Sequence, residues 1–298
     1  MKNTTKIKQK LCAEKILDYL HSNLDIAKGY PSKTSWGYAM TYLAGKVSKT
    51  LTGDELAEKS LKFLLMQNTK DKNYPWEFIV FALKETDLIR SQKIRHEGTN
   101  LKKKGTTVLN WRLLHIYNKI QFKKFNILDE IFLRLLIKIH QKPYGLLMDE
   151  YLTRSLQYHN FSVLILLKIF EKNKKLRWLE EKIIIAIDFS LSNIMSDGTS
   201  QFIGRGQEQI FGYASLIAAL KIFENIFNKD LDKEINLLVN KVYYHQREDG
   251  FIPLVLRTEN LENSIQYYSE NETPSGWYSY NSSFDYLPFL SYCLLLKI

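Results

Sequence analysis

The sequence predicts an all-α protein, an (α/α) toroid in which about five to six helical hairpins make a closed or incomplete ring, as one domain over 1–298 with no β-sandwich. Three observations carry this. Apolar residues recur at spacings of three and four from end to end, and convincing period-two alternation is hard to find. The connections are short, so each helix should lie antiparallel to the next. Two of them, SDGTSQFI and EDGFIPLV, place Asp-Gly after one helix and an extended segment before the next, with Asp197 and Asp249 one hairpin apart.

In chain order, the apolar spacing places helices at 10–23, 35–47 after SWGYAM, and 54–67, where Thr52 with Glu55 forms a capping box. A fourth covers 76–90 behind Pro75, which loses no hydrogen bond in a first turn. The next are 107–121, 126–141 with IFLRLLIKIH, 154–171 with SVLILLKIF, and 176–194 with KKLRWLEEK. The last three are 207–225, 231–246, and 281–297 with FDYLPFLSYCLLLKI. Segments 155–170 and 207–224 are apolar on nearly every face, as inner helices of a ring must be. No Pro/Gly/Ser-rich linker divides the chain.

Composition bounds the function. The 298 residues carry 45% hydrophobic and 25% charged side chains and a net charge of +10, with pI near 9.3. Such a surface concentrates anions, although Lys scattered over solvent faces accounts for much of the excess and the run Lys102–Lys104 reads as a solvated loop. No signal-peptide pattern opens the sequence, and IFLRLLIKIH and SVLILLKIF are too short to span a bilayer, which leads us to expect a cytoplasmic protein. Cys12 and Cys293 sit in apolar helical patterns, without support for disulfides or a Cys-based metal site. No phosphate-cradling loop, HExxH or nucleophile elbow occurs, so no cofactor or metal is suggested. Specific nucleic-acid binding lacks a motif or a basic stripe interleaved with aromatics. The sequence says nothing about oligomeric state.

Polar residues cluster at the starts of the inner helices: Arg154, Ser155, Gln157, Tyr158, His159 and Asn160 on one, Arg205, Gln207 and Glu208 on another. Burying them is costly unless they pair with each other or with a ligand. Trp36 and Tyr38, Trp76 and Glu77, and Trp277 and Tyr280 set aromatic or acidic groups beside Gly, Pro, Ser and Asn at loops or helix starts, where sugar rings pack on flat faces and hydroxyls find partners. Filling wide gaps between helices explains the aromatics as well. His159 reads equally as a satisfied structural histidine, Asn110 as a cap, and Arg205, between Gly204 and Gly206, as the partner of Glu208 or Asp197. Asp149/Glu150, Asp197, Glu208 and Asp249 fall near helix ends, where carboxylates serve structure, or, facing in pairs, glycoside hydrolysis.

The stretch MDEYLTRSLQYHNFSVLILLKIFE resembles the helical-toroid segment of heparinase II/III-like polysaccharide lyases, where an acidic residue, a Ser and a Tyr-His pair lead into an apolar helix; here these are Glu150, Ser155, Tyr158 and His159. Asn110-Trp111 in TTVLNWRLLHIY looks like the Asn-bearing helix start of the same lyases and of chondroitin/hyaluronate-type lyases. DGTSQFIGRGQEQIFGYASL looks like the Asp-Gly turn and Arg-bearing helix entry of related toroids. The resemblance implies β-elimination on an acidic, uronic-acid-containing polysaccharide or oligosaccharide, with Asn110 on the substrate carboxylate, Tyr158 as acid or base, His159 as its partner and Arg205 as a charge clamp. Arg154, Gln207 and Glu208 join Trp36, Tyr38, Trp76, Glu77, Trp277 and Tyr280 as expected substrate contacts. A glycoside hydrolase of the same fold, acting on unsaturated uronyl oligosaccharides or on a capsule or cell-envelope glycan, and a non-catalytic glycan-binding scaffold are the alternatives.

Overall fold

The computed structural model describes residues 2–66, 75–86, 107–257, 278 and 281–296, and no strand occurs among them. They form α1 (Lys2–Asn23), α2 (Gly37–Ser48), α3 (Leu51–Met66), α4 (Pro75–Glu85), α5 (Leu109–Gln121), α6 (Ile127–His140), α7 (Leu156–Lys172), α8 (Trp178–Ser192), α9 (Ile210–Phe227), α10 (Asp232–Tyr244) and α11 (Ser283–Leu295). Helices α2, α4, α5, α7, α9 and α11 pack each on the next, and α11 returns to α2, closing an inner ring. Outside it, α3 backs α2, α6 backs α5, α8 backs α7, α10 backs α9 and α1 backs α11. The protein is an α/α toroid, as its apolar periodicity predicts.

Two local expectations change. α1 starts eight residues before the predicted boundary, because its polar first turns are tied to α10: Thr5 Oγ1 bonds Asn236 Oδ1 at 3.0 Å and Lys8 Nζ bonds Asn240 Oδ1 at 2.6 Å. The cap of α3 is Thr50, whose Oγ1 accepts from Gly53 N–H at 3.1 Å; Thr52 already lies inside the helix, and Glu55 faces His21 Nε2 at 3.5 Å. Pro75 opens α4 as expected.

The Asp-Gly turns are a structural repeat. In 195–199 and 247–251 the first residue donates its N–H to the fifth, and the glycine donates back to the first. Both glycines have positive φ, and a Cβ would fall 2.4 Å from Leu237 O at Gly198 and 2.0 Å from Lys15 O at Gly250, so each turn lies flat on the next outer helix. Residues 142–146 make the same bonds without an Asp, with Gly145 against Ile185 O. The chemistry that recurs is the glycine; Asp197 and Asp249 accept from Thr199 N–H and Phe251 N–H, which tightens two of the three turns.

The ring axis is filled. Phe78, Phe161, Phe211, Tyr286 and Phe289, from α4, α7, α9 and α11, meet Trp36 at the entry to α2, with Phe211 5.0 Å from Tyr286 and 4.9 Å from both Phe161 and Phe289. Further down, Glu85 accepts from Lys168 Nζ at 3.1 Å, from Tyr292 Oη at 3.2 Å and from Tyr117 Oη, which pairs the buried lysine. α9 is long and apolar enough to cross a membrane by length and composition, and 72% of that window is buried as an inner helix.

Candidate functional site

The inner helices enter the ring at one mouth, stitched start to start. Leu109 N–H donates to Asp149 O at 2.7 Å, joining α5 to the segment before α7. Leu156 N–H donates to Ile203 O and Ser155 Oγ to Arg205 O, joining α7 to the approach to α9. Ile210 N–H donates to Leu254 O, and Gln209 Nε2 to Asn281 Oδ1 at 2.9 Å, joining α9 to α11. Asp285 of α11 then accepts from Thr34 Oγ1, Ser35 N–H and Trp36 N–H before α2. Orphan donors at the starts of α5, α7 and α9 and before α2 are thus satisfied by a neighbouring segment, which orders that part of the rim.

Three distant segments meet there at Asp149. Its side chain has no exposed surface; Oδ1 accepts from Asn110 Nδ2 at 2.5 Å and Oδ2 from Arg205 Nη2 at 3.0 Å. Burial pushes the carboxyl up to about 6 against the pull of the Arg205 guanidinium, with Glu150 adding to the rise. Arg205 remains 41% exposed and lies 5.2 Å from the centre of the Tyr158 ring. Its backbone is fixed twice, by the bond from Ser155 and by Gly204 and Gly206, both at positive φ, where the chain runs against Arg154 O and the Gln157 amide. The result is a cation held from behind by a buried anion, resting on an aromatic face and open at the front.

Of the residues expected to do chemistry, Asn110, Tyr158 and Arg205 are thus brought together, and His159 is directed elsewhere. Its Nδ1 accepts from Leu147 N–H at 2.9 Å, so Nε2 carries the proton and meets Ser190 Oγ of α8 at 3.0 Å, edge-on to Phe189. Complete burial pushes its pKa down to about 3, and it stays neutral. One position further along a helix turns a side chain by about 100°, which takes it from the mouth to the outer layer. Asn110 is buried and reaches the mouth through Asp149.

The expected sugar contacts divide as well. Trp36 is buried in the axial cluster. Tyr38 stacks between Tyr30 and Phe63, its hydroxyl accepting from Tyr30 N–H. Glu77 is buried between α4 and α5, 2.8 Å from both His115 Nδ1 and Asn118 Nδ2. Trp76 is buried, and its indole Nε1 has no hydrogen-bond partner among the described residues. Arg154 is exposed beside the cluster. Glu208 pairs with Arg257 Nε at 2.8 Å, and Gln207 accepts from the same guanidinium at 3.3 Å; Arg257 was not foreseen. Trp277 and Tyr280 lie outside the described residues.

A cavity of about 840 Å³ opens at the other end of the ring, lined by Lys6, Lys49, Lys221, Glu224, Lys229 and Leu295 among others, where α2, α9 and α11 finish. Near it Glu224, Asp230 and Asp232 bring ligand atoms within 4.8 Å of one another. Neither touches the Asp149 cluster.

No protein-family model matches the chain, and no characterised protein sequence matches it. Solved structures do. The chain is similar to a polysaccharide lyase (TM-score 0.67, 12% identity, covering 97% of this chain and 96% of that one). It is similar to an α-1,6-mannanase of glycoside hydrolase family 76 from Salegentibacter, an inactive variant with two adjacent aspartates replaced, bound to α-1,6-mannotetrose (0.66, 10%, 97% and 99%). It is also similar to a type II terpene cyclase from Scytonema bound to geranylgeranyl dihydroxybenzoate (0.62, 10%, 99% and 98%). At these identities the likeness is one of fold, the closed α/α toroid.

Proposed function

We propose that this mouth binds and cleaves a glycan bearing an acidic sugar, by β-elimination next to the sugar carboxylate. One observation carries the reading: Arg205 presents an exposed guanidinium at the ring mouth, held from behind by the fully buried Asp149 and flanked by the Tyr158 ring. A guanidinium so fixed takes a carboxylate in a defined orientation and opposes the negative charge that grows on it as the neighbouring C–H proton leaves. Tyr158, partly exposed beside it, is the group placed to move that proton towards the departing glycosidic oxygen. Asn110 and Asp149 act behind these two as positioning residues. His159 has no part in this scheme.

Hydrolysis is the second reading, favoured by the adjacent carboxylates Asp149 and Glu150 and by the raised Asp149 carboxyl, since a proton donor works best near the working pH. The adjacent aspartates of the inactive mannanase variant add to it. Elimination ranks first because Tyr158 and Arg205 reach solvent and the Asp149 side chain does not. A prenyl-cyclising site needs an apolar chamber on the ring axis, and here that axis is packed with aromatic rings.

Incubation with a panel of uronate polymers and oligomers distinguishes the outcomes. New ultraviolet absorbance from a conjugated double bond, abolished in Tyr158→Phe and reduced at least about tenfold in Arg205→Ala, is expected. Reducing ends without that absorbance replace elimination by hydrolysis. Full activity in both variants removes the site.

A further inference from the structure

The outer helix α6 carries an apolar stripe that nothing in the chain's described residues covers. Leu133, Leu136 and Ile137 turn inward and are buried, whereas Ile127, Leu128, Ile131, Phe132, Leu135 and Ile139 face out, with exposures from 39% at Phe132 to 71% at Leu128. Within it Leu128, Phe132, Leu135 and Ile139 are spaced four, three and four, the seam of two helices packed side by side. At roughly 150–250 Å² per large side chain, these exposures leave on the order of 600 Å² of apolar surface in one strip, at the top of the range for the largest patch on a typical monomer.

We propose that this face is the interface of a homodimer, in which α6 packs antiparallel on the α6 of a second copy about a two-fold axis near Leu133. Area argues for a second copy: two such strips together remove on the order of 1,200 Å² from water, which reaches the size of specific protein interfaces. Charge argues for the antiparallel sense. Asp129 and Glu130 in the first turn are already paired within the chain, to Lys119 and Arg134, so the sense is set by the helix dipoles, which oppose when each α6 start lies beside the other copy's α6 end, where Lys138 is exposed. The two-fold sets Leu135 of each chain against Ile131 of the other, since an isologous contact pairs positions equally distant from its centre. α6 lies on the outer layer against α5, and none of its outward apolar residues belongs to the Asp149 cluster.

Sedimentation velocity on the full chain at tens of micromolar tests this. A species of twice 35.1 kDa is expected for the native sequence. Leu135→Glu, at a half-exposed position, is expected to keep the native circular dichroism spectrum and to sediment as a monomer. Adding Ile131→Lys to Leu135→Glu is expected to restore the dimer, because each new lysine then faces the other copy's new glutamate. A monomeric native chain, a dimer that survives Leu135→Glu, or a double variant that stays monomeric each overturns the proposal.

Discussion

Asp149 is the residue on which the mouth turns, and its charge state makes it measurable. Its carboxyl, pushed up to about 6 by burial from an ordinary 3.8, favours the protonated form in the folded chain. The stability that follows is fully present below pH 4 and lost as pH rises through about 6, at up to roughly 1.4 kcal/mol per pH unit. Asp149→Asn keeps one acceptor oxygen, for either Asn110 or Arg205, turns an amide donor to the other, and cannot ionise. Thermal melts between pH 4 and 8 should therefore show the native chain losing stability relative to this variant across pH 4–6, and the variant at least as stable above pH 7. Equal slopes for the two proteins would remove Asp149 as the buried titrating group. At this scale the sequence offered only part of the site. Asn110, Tyr158 and Arg205 stood out by residue type and by their places at helix starts. The residue that joins them was one carboxylate among several at helix ends, because nothing local marks which acid is buried against an arginine 56 positions later. His159 misled for the opposite reason, since adjacency in sequence puts it on another face of α7.

Several inner helices obtain partners at their start from a neighbour, and α2 is the sharpest case. Thr34 Oγ1 accepts from Gly37 N–H at 2.9 Å, and the buried Asp285, from α11, takes that hydroxyl and the N–H groups of Ser35 and Trp36. Burial raises the Asp285 carboxyl while these bonds pull it down. Asp285→Ala leaves two buried donors, the Thr34 hydroxyl and the Trp36 N–H, without this acceptor, and a loss of about 2–5 kcal/mol is expected in urea unfolding. Asp285→Asn, which keeps one oxygen, should lose clearly less; equal losses would show that volume, and not the bonds, matters there. Periodicity revealed the eleven helices of the described residues, because every one must bury a stripe and the spacing of a stripe is local information. The caps escaped that reading wherever they were supplied across the ring: Asp285 lies 249 positions from Trp36, and the glycine of 142–146 forms the third turn of the repeat without the Asp that marks the other two.

On the scale of the molecule, the aromatic axle decides both how the ring unfolds and where a ligand can go. Phe211 lies 4.9–6.4 Å, centre to centre, from Trp36, Phe78, Phe161, Tyr286 and Phe289, so a single side chain touches α4, α7, α11 and the entry to α2. With the axis filled, the mouth and not the ring interior is what the protein can offer a ligand, and on the function proposed above a glycan would rest across it at the exposed Arg205 and not at the buried Trp36. The ring also lacks a free inner edge, because α11 packs on α2, so no inner helix can detach without breaking two inner contacts. Phe211→Ala should therefore cost about 3–5 kcal/mol, the range for emptying a large aromatic site, and the loss should be shared by every helix. The expected signature is a lower urea midpoint with an unchanged slope, tryptophan fluorescence and far-ultraviolet circular dichroism moving together. Fluorescence that changes at lower urea than the helical signal would mean that the axle loosens while the ring persists, and that closure through α11 and α2, not the central packing, holds the toroid together.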